Sequence, residues 1–319
     1  MRLTFFKSLI LLLALAAPAA AQEYPAKPLR LIIPFAPGGS VDIVARLAAQ
    51  KLGDRLGKQV IPENRAGAGA VIGTELVIAA PADGYTLLLL SLAHAVNPHI
   101  YKLNYDTKKQ LTMVASLGNG PSVFTVHPSV PANSVKELIA LAKSKPGTLH
   151  FAHAGVGSFT HTASVLFSMT AGIDTVMVPF KGGGPAMIDV LGGHSQLLMN
   201  SYVASLPHVR SGKLRALGVS DTRRSDLLPG VPTIDESGVP GYQAANWWGI
   251  AVPAGTPQPI VERLNKEINA ALASDEVKKT FEAQGAVPVP MSVPEFAKFY
   301  DDELVKWGKV VKAAGMKPE

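Results

Sequence analysis

The sequence predicts an α/β protein made of two lobes with a cleft between them. Three observations lead there. Short apolar runs alternate with helix-patterned segments along most of the chain, the alternation falls into two sets of similar size, and each set offers one strand-to-helix loop rich in glycine. Length agrees, because about 300 residues remain once an N-terminal leader is set aside, and single cores stop growing at roughly 250–300 residues.

The elements follow in order. Leu29 to Pro34 is a strand rich in Leu and Ile on both faces, as a strand covered by helices on each side requires. Ser40 to Leu56 is a helix: Val41, Val44, Ala45, Ala48 and Leu52 recur at three- and four-residue spacing, and Gly57 ends it. Gln59–Pro62 (strand), Ala70–Ala80 (helix) and Tyr85–Leu90 (strand) complete the first set. The second set reads Ser134–Lys143 (helix), Thr148–Ala152 (strand), Thr160–Thr170 (helix), Thr175–Pro179 (strand), Pro185–Leu191 (helix), Ser195–Met199 and Lys213–Val219 (strands). A Pro- and Gly-rich passage from Leu228 to Gly241 leads to a strand near Trp247–Val252, and two helices, Pro257–Ala273 and Pro294–Ala313, close the chain.

The first residues read as an export address. Arg2 and Lys7 precede the apolar run Leu9–Ala17, and Pro18 with Ala19-Ala20-Ala21 supplies small residues for cleavage after Ala21. The run is too short for a membrane span of roughly 20 residues. A periplasmic product starting at Gln22 is expected. The absence of cysteine excludes disulfides, thiol catalysis, thiolate metal sites and lipid anchoring through a cysteine. Loss of Arg2 and Lys7 lowers the formal net charge from +6 to +4. The remaining cations are scattered and not interleaved with aromatics, which argues against a nucleic-acid partner.

In open α/β sheets ligands bind beyond the carboxyl ends of strands, where loops enter helix N-termini. Two such loops are equipped for it. The first, Pro34-Phe35-Ala36-Pro37-Gly38-Gly39-Ser40-Val41-Asp42, pairs glycines with Ser40 at a helix start. Asp42 is read as serving first-turn amides. The second, Ala152-His153-Ala154-Gly155-Val156-Gly157-Ser158-Phe159-Thr160-His161, has the same ingredients. Facing each other, the two would line a cleft with amide donors that hold an anion without an arginine.

The chain resembles the Bug receptors, the periplasmic solute-binding components of tripartite tricarboxylate transporters. The motifs that carry the resemblance are Ile33-Pro34-Phe35-Ala36-Pro37-Gly38-Gly39, Glu63-Asn64-Arg65-Ala66-Gly67-Ala68-Gly69, Pro81-Ala82-Asp83-Gly84-Tyr85-Thr86-Leu87, Val178-Pro179-Phe180-Lys181-Gly182, Gly212-Lys213-Leu214-Arg215-Ala216-Leu217 and Pro253-Ala254-Gly255-Thr256-Pro257. The resemblance implies a two-lobed, periplasmic-binding-protein type II-like fold with the ligand cleft between the lobes. Lobe 1 would span 22–124 plus 248–319 and lobe 2 would span 125–247. It implies a monomer that captures a small di-, tri- or aromatic carboxylate and delivers it to membrane permease subunits, with no cofactor and no metal. Gly155, Val156, Gly157 and Ser158 would meet the ligand from one side, and Phe35, Pro37, Gly38, Gly39 and Ser40 from the other. His161 matches a histidine that commonly follows the second loop; it contacts ligand or is bonded to nearby backbone.

Two departures bear on specificity. His153 stands where a serine is frequent, and Asn200-Ser201 stands where an Asp-Asn pair is frequent. Loss of that acid predicts a preference for carboxylates without an amino group. Ser91 and His94, at the end of the third strand, would face the same cleft, and Asn97-Pro98 is read as a turn. Lys181 either draws anions at the cleft edge or is simply solvated. Arg65 is read as a tether, and Trp247-Trp248 as packing where the chain recrosses between lobes. An enzyme is not indicated: there is no Gly-x-Ser-x-Gly elbow, Lys181-Gly182-Gly183-Gly184 lacks the ending of a P-loop, and His150 and His153 fall on opposite faces of their strand. A sensor that uses the same capture fold is the alternative to transport.

Overall fold

The computed structural model describes residues 24–318, so the anticipated leader lies outside the described residues. The strands are β1 (Leu29–Ile33), β2 (Val60–Asn64), β3 (Thr86–Ser91), β4 (Leu111–Val126), β5 (His150–His153), β6 (Val176–Pro179), β7 (Leu197–Ser201), β8 (Arg215–Val219) and β9 (Ala245–Pro253). They run in the order β2-β1-β3-β9-β4-β7-β5-β6, and β8 also pairs with β4. One end of this array is parallel through β2, β1 and β3. The other is parallel through β7, β5 and β6. Between them, antiparallel β4 and β9 join the two lobes.

β4 makes the join. From Leu111 to Pro121 it pairs with β9, and from Ser122 to Val126 it pairs with β7 and β8 instead. None of the anticipated strands covers it. Gly118, Gly120 and Pro121 punctuate its sequence, and its register against β9 slips twice, between Met113 and Ala115 and between Ser116 and Gly118. Such bulges erase the regular alternation by which strands are recognised.

Helices fill the connections: α1 (Ser40–Leu56), α2 (Val71–Ile78), α3 (Ala93–Ile100), α4 (Thr107–Gln110), α5 (Val135–Ser144), α6 (Phe159–Ala171), α7 (Gly183–Leu191), α8 (Tyr202–Arg210), α9 (Gln258–Leu272), α10 (Asp275–Ala283) and α11 (Val293–Ala314). Period-2 alternation sorts the first lobe into two layers. Leu29, Leu31, Ile33, Leu87 and Leu89 pack with Val44 and Leu52 of α1 and Val261 and Leu264 of α9. Ile32, Leu88 and Leu90 point the other way, into a core with Val77, Phe296 and Tyr300. That second core continues into the other lobe through Phe151, Phe167 and Tyr242. Both faces are covered, as the Leu- and Ile-rich strands require.

Two corrections concern helices. Asn97-Pro98 is no turn but lies inside α3. Pro98 cannot donate to the carbonyl of His94 four residues back; that oxygen accepts from the Tyr300 hydroxyl at 2.9 Å instead, and the helix survives. The C-terminal part holds three helices, not two, because Ser274 caps a separate α10 by accepting from the Val277 amide.

The recrossing strand is tied to the last helix. Glu303 of α11 is buried and accepts from Trp247 Nε1 at 2.9 Å and Trp307 Nε1 at 2.8 Å. Arg65, read as a tether for the following helix, instead pairs with Glu63 of β2, which also pairs with Arg30 of β1 at 2.7 Å.

Candidate ligand-binding site

A small pocket of about 20 Å³, partly open to solvent, lies between the lobes and is called the chamber below. Ser91, Gly39 and Ser40, with Phe35, Val41 and Asn246, wall it from one side. Ala154, Ser158, Phe159, Thr160, Gly183 and Asn200 wall it from the other. The topology explains the grouping. Gly39 and Ser40 open α1, Ser158 and Phe159 open α6, and Gly183 opens α7. Ser91 and Asn200 precede α3 and α8 by two residues. Five helices thus begin around one small space, and each brings unpaired N–H groups and a partial positive charge to its first turn.

Side chains add donors without adding charge. Ser158 Oγ accepts from the His161 amide at 3.3 Å and sits 3.1 Å from Thr160 Oγ1, which accepts from the Ala154 amide at 2.7 Å. Asn246 Oδ1 accepts from the Leu92 amide at 3.4 Å. Asn200 Oδ1 accepts from the Ser201 amide at 2.9 Å, and the residue lines the chamber. Asn200 is 1% exposed, and its Nδ2 has no hydrogen-bond partner among the described residues. Among the described residues, no Asp, Glu, Lys or Arg lines the chamber. The arrangement suits a group that accepts hydrogen bonds and carries negative charge.

A second cavity of about 340 Å³ adjoins the first, with Phe35 and Ala154 common to both walls. Gly67, Ala68, Gly69 and Tyr101 face Gly155, Val156, Pro179, Phe180 and Lys181 across it.

Buried polar groups hold the loops in shape. Asp42 takes the Gly38 amide at 3.1 Å, Asn64 Nδ2 at 2.9 Å and Arg46 Nε at 3.0 Å, and Asn64 also donates to the Phe35 carbonyl at 2.9 Å. Burial works against the Asp42 charge, but hydrogen bonds from Arg46, Asn64 and the Gly38 amide, and the Arg46 charge, hold its carboxyl below the ordinary value. Beneath the second loop, the rings of His153 and His161 lie 4.6 Å apart. Burial lowers His153 to about 4, while a contact with the Gly155 backbone raises it. Burial, with the neighbouring His153, lowers His161 to about 3. His94 is lowered to about 4 by burial, against a contact with the Ser91 backbone. Its Nδ1 accepts from the Ser91 amide at 3.0 Å, and its Nε2 lies 3.1 Å from Thr74 Oγ1.

The anticipated residues therefore divide three ways. Phe35, Gly39, Ser40, Ser91, Ser158 and Asn200 line the chamber. Gly155, Val156 and Lys181 line the outer cavity, Lys181 as an exposed side chain. Pro37, Gly38, His94, His153, Gly157 and His161 line neither; Pro37 and Gly38 are exposed, and the three histidines are buried. His161 Nδ1 takes the Gly157 amide at 3.4 Å, the backbone-bonded alternative. Val41, Ala154, Phe159, Thr160, Gly183 and Asn246 were not anticipated. Thr160 stands two residues beyond Ser158, which caps α6, and it lies within the second loop. Asn246 arrives on β9, and only the pairing of β9 with β3 and β4 brings it there.

The comparisons agree with this geometry. The family model for the tripartite tricarboxylate transporter family receptor matches residues 44–316. Protein BugT of Bordetella pertussis (strain Tohama I) is 41% identical over 95% of this chain and 94% of its own length. Rpa4515 of R. palustris, solved with adipate, superposes with a TM-score of 0.90 at 33% identity, over 93% of this chain and 100% of that one. MatC of Rhodopseudomonas palustris, solved with bound malate, gives 0.86 at 31% identity, over 90% of this chain and 100% of that one. The periplasmic binding protein BugD gives a TM-score of 0.89 at 31% identity, over 93% of this chain and 100% of that one. The chain belongs to the tripartite tricarboxylate transporter receptor family, the Bug receptors, and is a solute-binding receptor.

Proposed function

We propose that the chain captures a small carboxylate in the periplasm, as a monomer and without catalysis, and hands it to the permease subunits of a tripartite tricarboxylate transporter. The observation that carries this reading is the chamber itself, where five helix N-termini and the buried Asn200 Nδ2 converge with no charged side chain among the described residues. The malate and adipate held by the two relatives fit the same chemistry. No helix among the described residues is long and apolar enough to cross a membrane, which suits a receptor released by cleavage after Ala21.

The lobes are taken as 22–124 plus 248–319 and 125–247; β4 changes partners after Pro121, three residues before the first of these boundaries. Capture then works by differential affinity. Apart, each lobe offers a hydrated set of helix ends; together, both sets bond one anion. The ligand therefore favours the closed form by contacts that only that form makes.

The test is a thermal-shift screen of the mature protein against malate, adipate, other di- and tricarboxylates, aromatic acids and the amides of each. An acid at a hundred times its dissociation constant should add about 2.7 kcal/mol of stability. A shift with an acid and none with its amide is expected. Equal shifts with acid and amide, or stabilisation by cationic solutes alone, would refute carboxylate capture.

A further inference from the structure

The motif Lys181-Gly182-Gly183-Gly184 is only partly used by the chamber, which Gly183 alone of the three glycines lines. The other two lie against the first loop. The Ala36 amide donates to the Lys181 carbonyl at 3.0 Å across the lobes. A Cβ at Gly182 would lie 2.7 Å from Ala36 N, and one at Gly184 would fall far inside van der Waals contact with the Pro37 carbonyl oxygen. One at Gly39 would lie 3.1 Å from the Gly183 Cα. Backbone thus meets backbone along this rim.

Local conformation does not demand these glycines. Gly182 is extended, with φ 164 and ψ 169, and Gly184 sits in the first turn of α7 without a positive φ. Alanine is the better helix former there. A sequence that served only the second lobe would gain by carrying alanine at 184. The glycine becomes useful where the lobes meet.

We infer that Gly182 and Gly184 are positioning residues for capture: their missing side chains let the lobes close fully, and the seam they form with Ala36–Gly39 sets the closed geometry of the chamber. The inference rests on the capture-by-closure reading and adds the residues that permit it. The opposite rim has the same construction, with Gly69 against the Val156 carbonyl, but the positive φ of Gly69 gives that glycine a local reason as well. Gly182 and Gly184 carry the argument because they have none.

The test is Gly184→Ala, with Gly182→Ala as the second variant, in the mature chain. The absence of native cysteine allows spin labels at cysteines introduced for Ile61 in lobe 1 and Met169 in lobe 2, which are 46% and 47% exposed. Inter-label distances are measured with and without malate and adipate, beside the dissociation constant and the melting temperature of the unliganded protein. The wild type is expected to show a population at the closed distance that grows with whichever acid binds. G184A should lack that population and bind the acid at least about tenfold more weakly, because the competent fraction falls. Its unliganded melting temperature should be no lower than that of the wild type, an outcome that a merely structural glycine would not give. Unchanged distances and affinity, or a lowered unliganded melting temperature, would overturn the inference. If neither acid binds the wild type, the other acids of the screen take their place, carboxylate capture fails only when none of them binds, and identical unliganded distance distributions would still overturn the seam.

Discussion

Asn200→Asp exchanges one atom of the chamber and tests its chemistry directly. The wild-type Oδ1 accepts from the Ser201 amide at 2.9 Å, and a carboxylate oxygen can do the same, so the wall keeps its shape. What changes is the second atom, from a buried donor to a buried negative oxygen. Losing a hydrogen bond to a charged ligand costs about 1.5–3 kcal/mol. Placing a like charge about 4 Å from the ligand carboxylate costs about another 4 kcal/mol at an effective dielectric of about 20. The new side chain has an escape, however, since it can take up a proton. Protonating an aspartate of ordinary pKa at pH 7 costs about 4 kcal/mol, and the neutral acid donates a hydrogen bond again. The cheaper route limits the loss, so affinity at pH 7 should fall by about 10³-fold and recover by about tenfold per pH unit down to about pH 5.5. Asn200→Ala removes only the donor and should cost about 10–100-fold, without that pH dependence. Calorimetric titration at several pH values separates the cases. An N200D protein that binds within threefold of the wild type, or whose loss ignores pH, would refute the placement of the ligand's charge beside Asn200. An α-amino acid that binds N200D better than its deaminated analogue would bear out the expected preference of the wild type for acids without an amino group.

Three further perturbations follow from the same contacts. His94, His153 and His161 have folded pKa values of about 4, about 4 and about 3, below the ordinary 6.5, so the stability they contribute is complete above pH 6.5 and is lost as pH falls toward 4. Denaturant unfolding at pH 7, 6 and 5 should show that loss, approaching about 4 kcal/mol per pH unit when all three titrate, and a flat profile would contradict their burial as neutral rings. Asp42 also has a lowered pKa, so its contribution is present above the ordinary carboxyl range and does not fall within this window. Glu303→Leu strands two buried indole N–H groups and should lower stability by about 2–5 kcal/mol, whereas Glu303→Gln, which still offers an acceptor, should lose less in the same unfolding assay. Gly157→Val places a β-branched residue at φ +79 and drives its side chain into Asn97 Oδ1; it should destabilise the protein by about 1–3 kcal/mol and abolish the thermal shift with any acid that binds the wild type.

The parts of the fold legible in the sequence are those fixed by local chemistry. The β1–α1 unit could be read because Leu and Ile on both faces mark a doubly covered strand, and because Gly39 and Ser40 open the helix as Gly57 closes it. The second loop could be read because Ser158 is a cap by composition before it is one by geometry. β4 was illegible, since its bulges and its change of partners are properties of β7, β8 and β9 rather than of Leu111–Val126. The histidines show the same limit. His153 and His161 stand in a glycine loop and His94 follows the end of β3, which suggests a ligand role, but whether a side chain lines a cavity or props its wall depends on which face is already occupied. Thr74 and Ser91 occupy that of His94, and the loop amides occupy that of His161. Asn246 was hidden for the opposite reason: nothing beside it in the sequence is polar-loop chemistry, and the sheet alone carries it to the site.

The helix ends give charge a role in closure beyond recognition. α1 and α3 start in one lobe, and α6, α7 and α8 start in the other. When the lobes are apart, water solvates each set of partial positive charges. Closing them around a space of about 20 Å³ removes that water and brings like ends together. Each end favours an anion by about 0.3–1 kcal/mol at an exposed site and by up to about 2 kcal/mol where partly buried. Five ends therefore offer several kcal/mol to a carboxylate, and closing without one places their positive poles face to face. A neutral amide of the same shape would fill the space but leave that repulsion largely uncompensated. On the proposed capture by closure, the glycine seam and the helix ends would act in opposite senses on the empty protein: the seam would permit close approach, the poles would resist it, and the anion would decide between them. That opposition is what a receptor needs if its closed form is to report a bound solute to a membrane partner, because a chamber lined with a fixed anion of its own would shut without cargo.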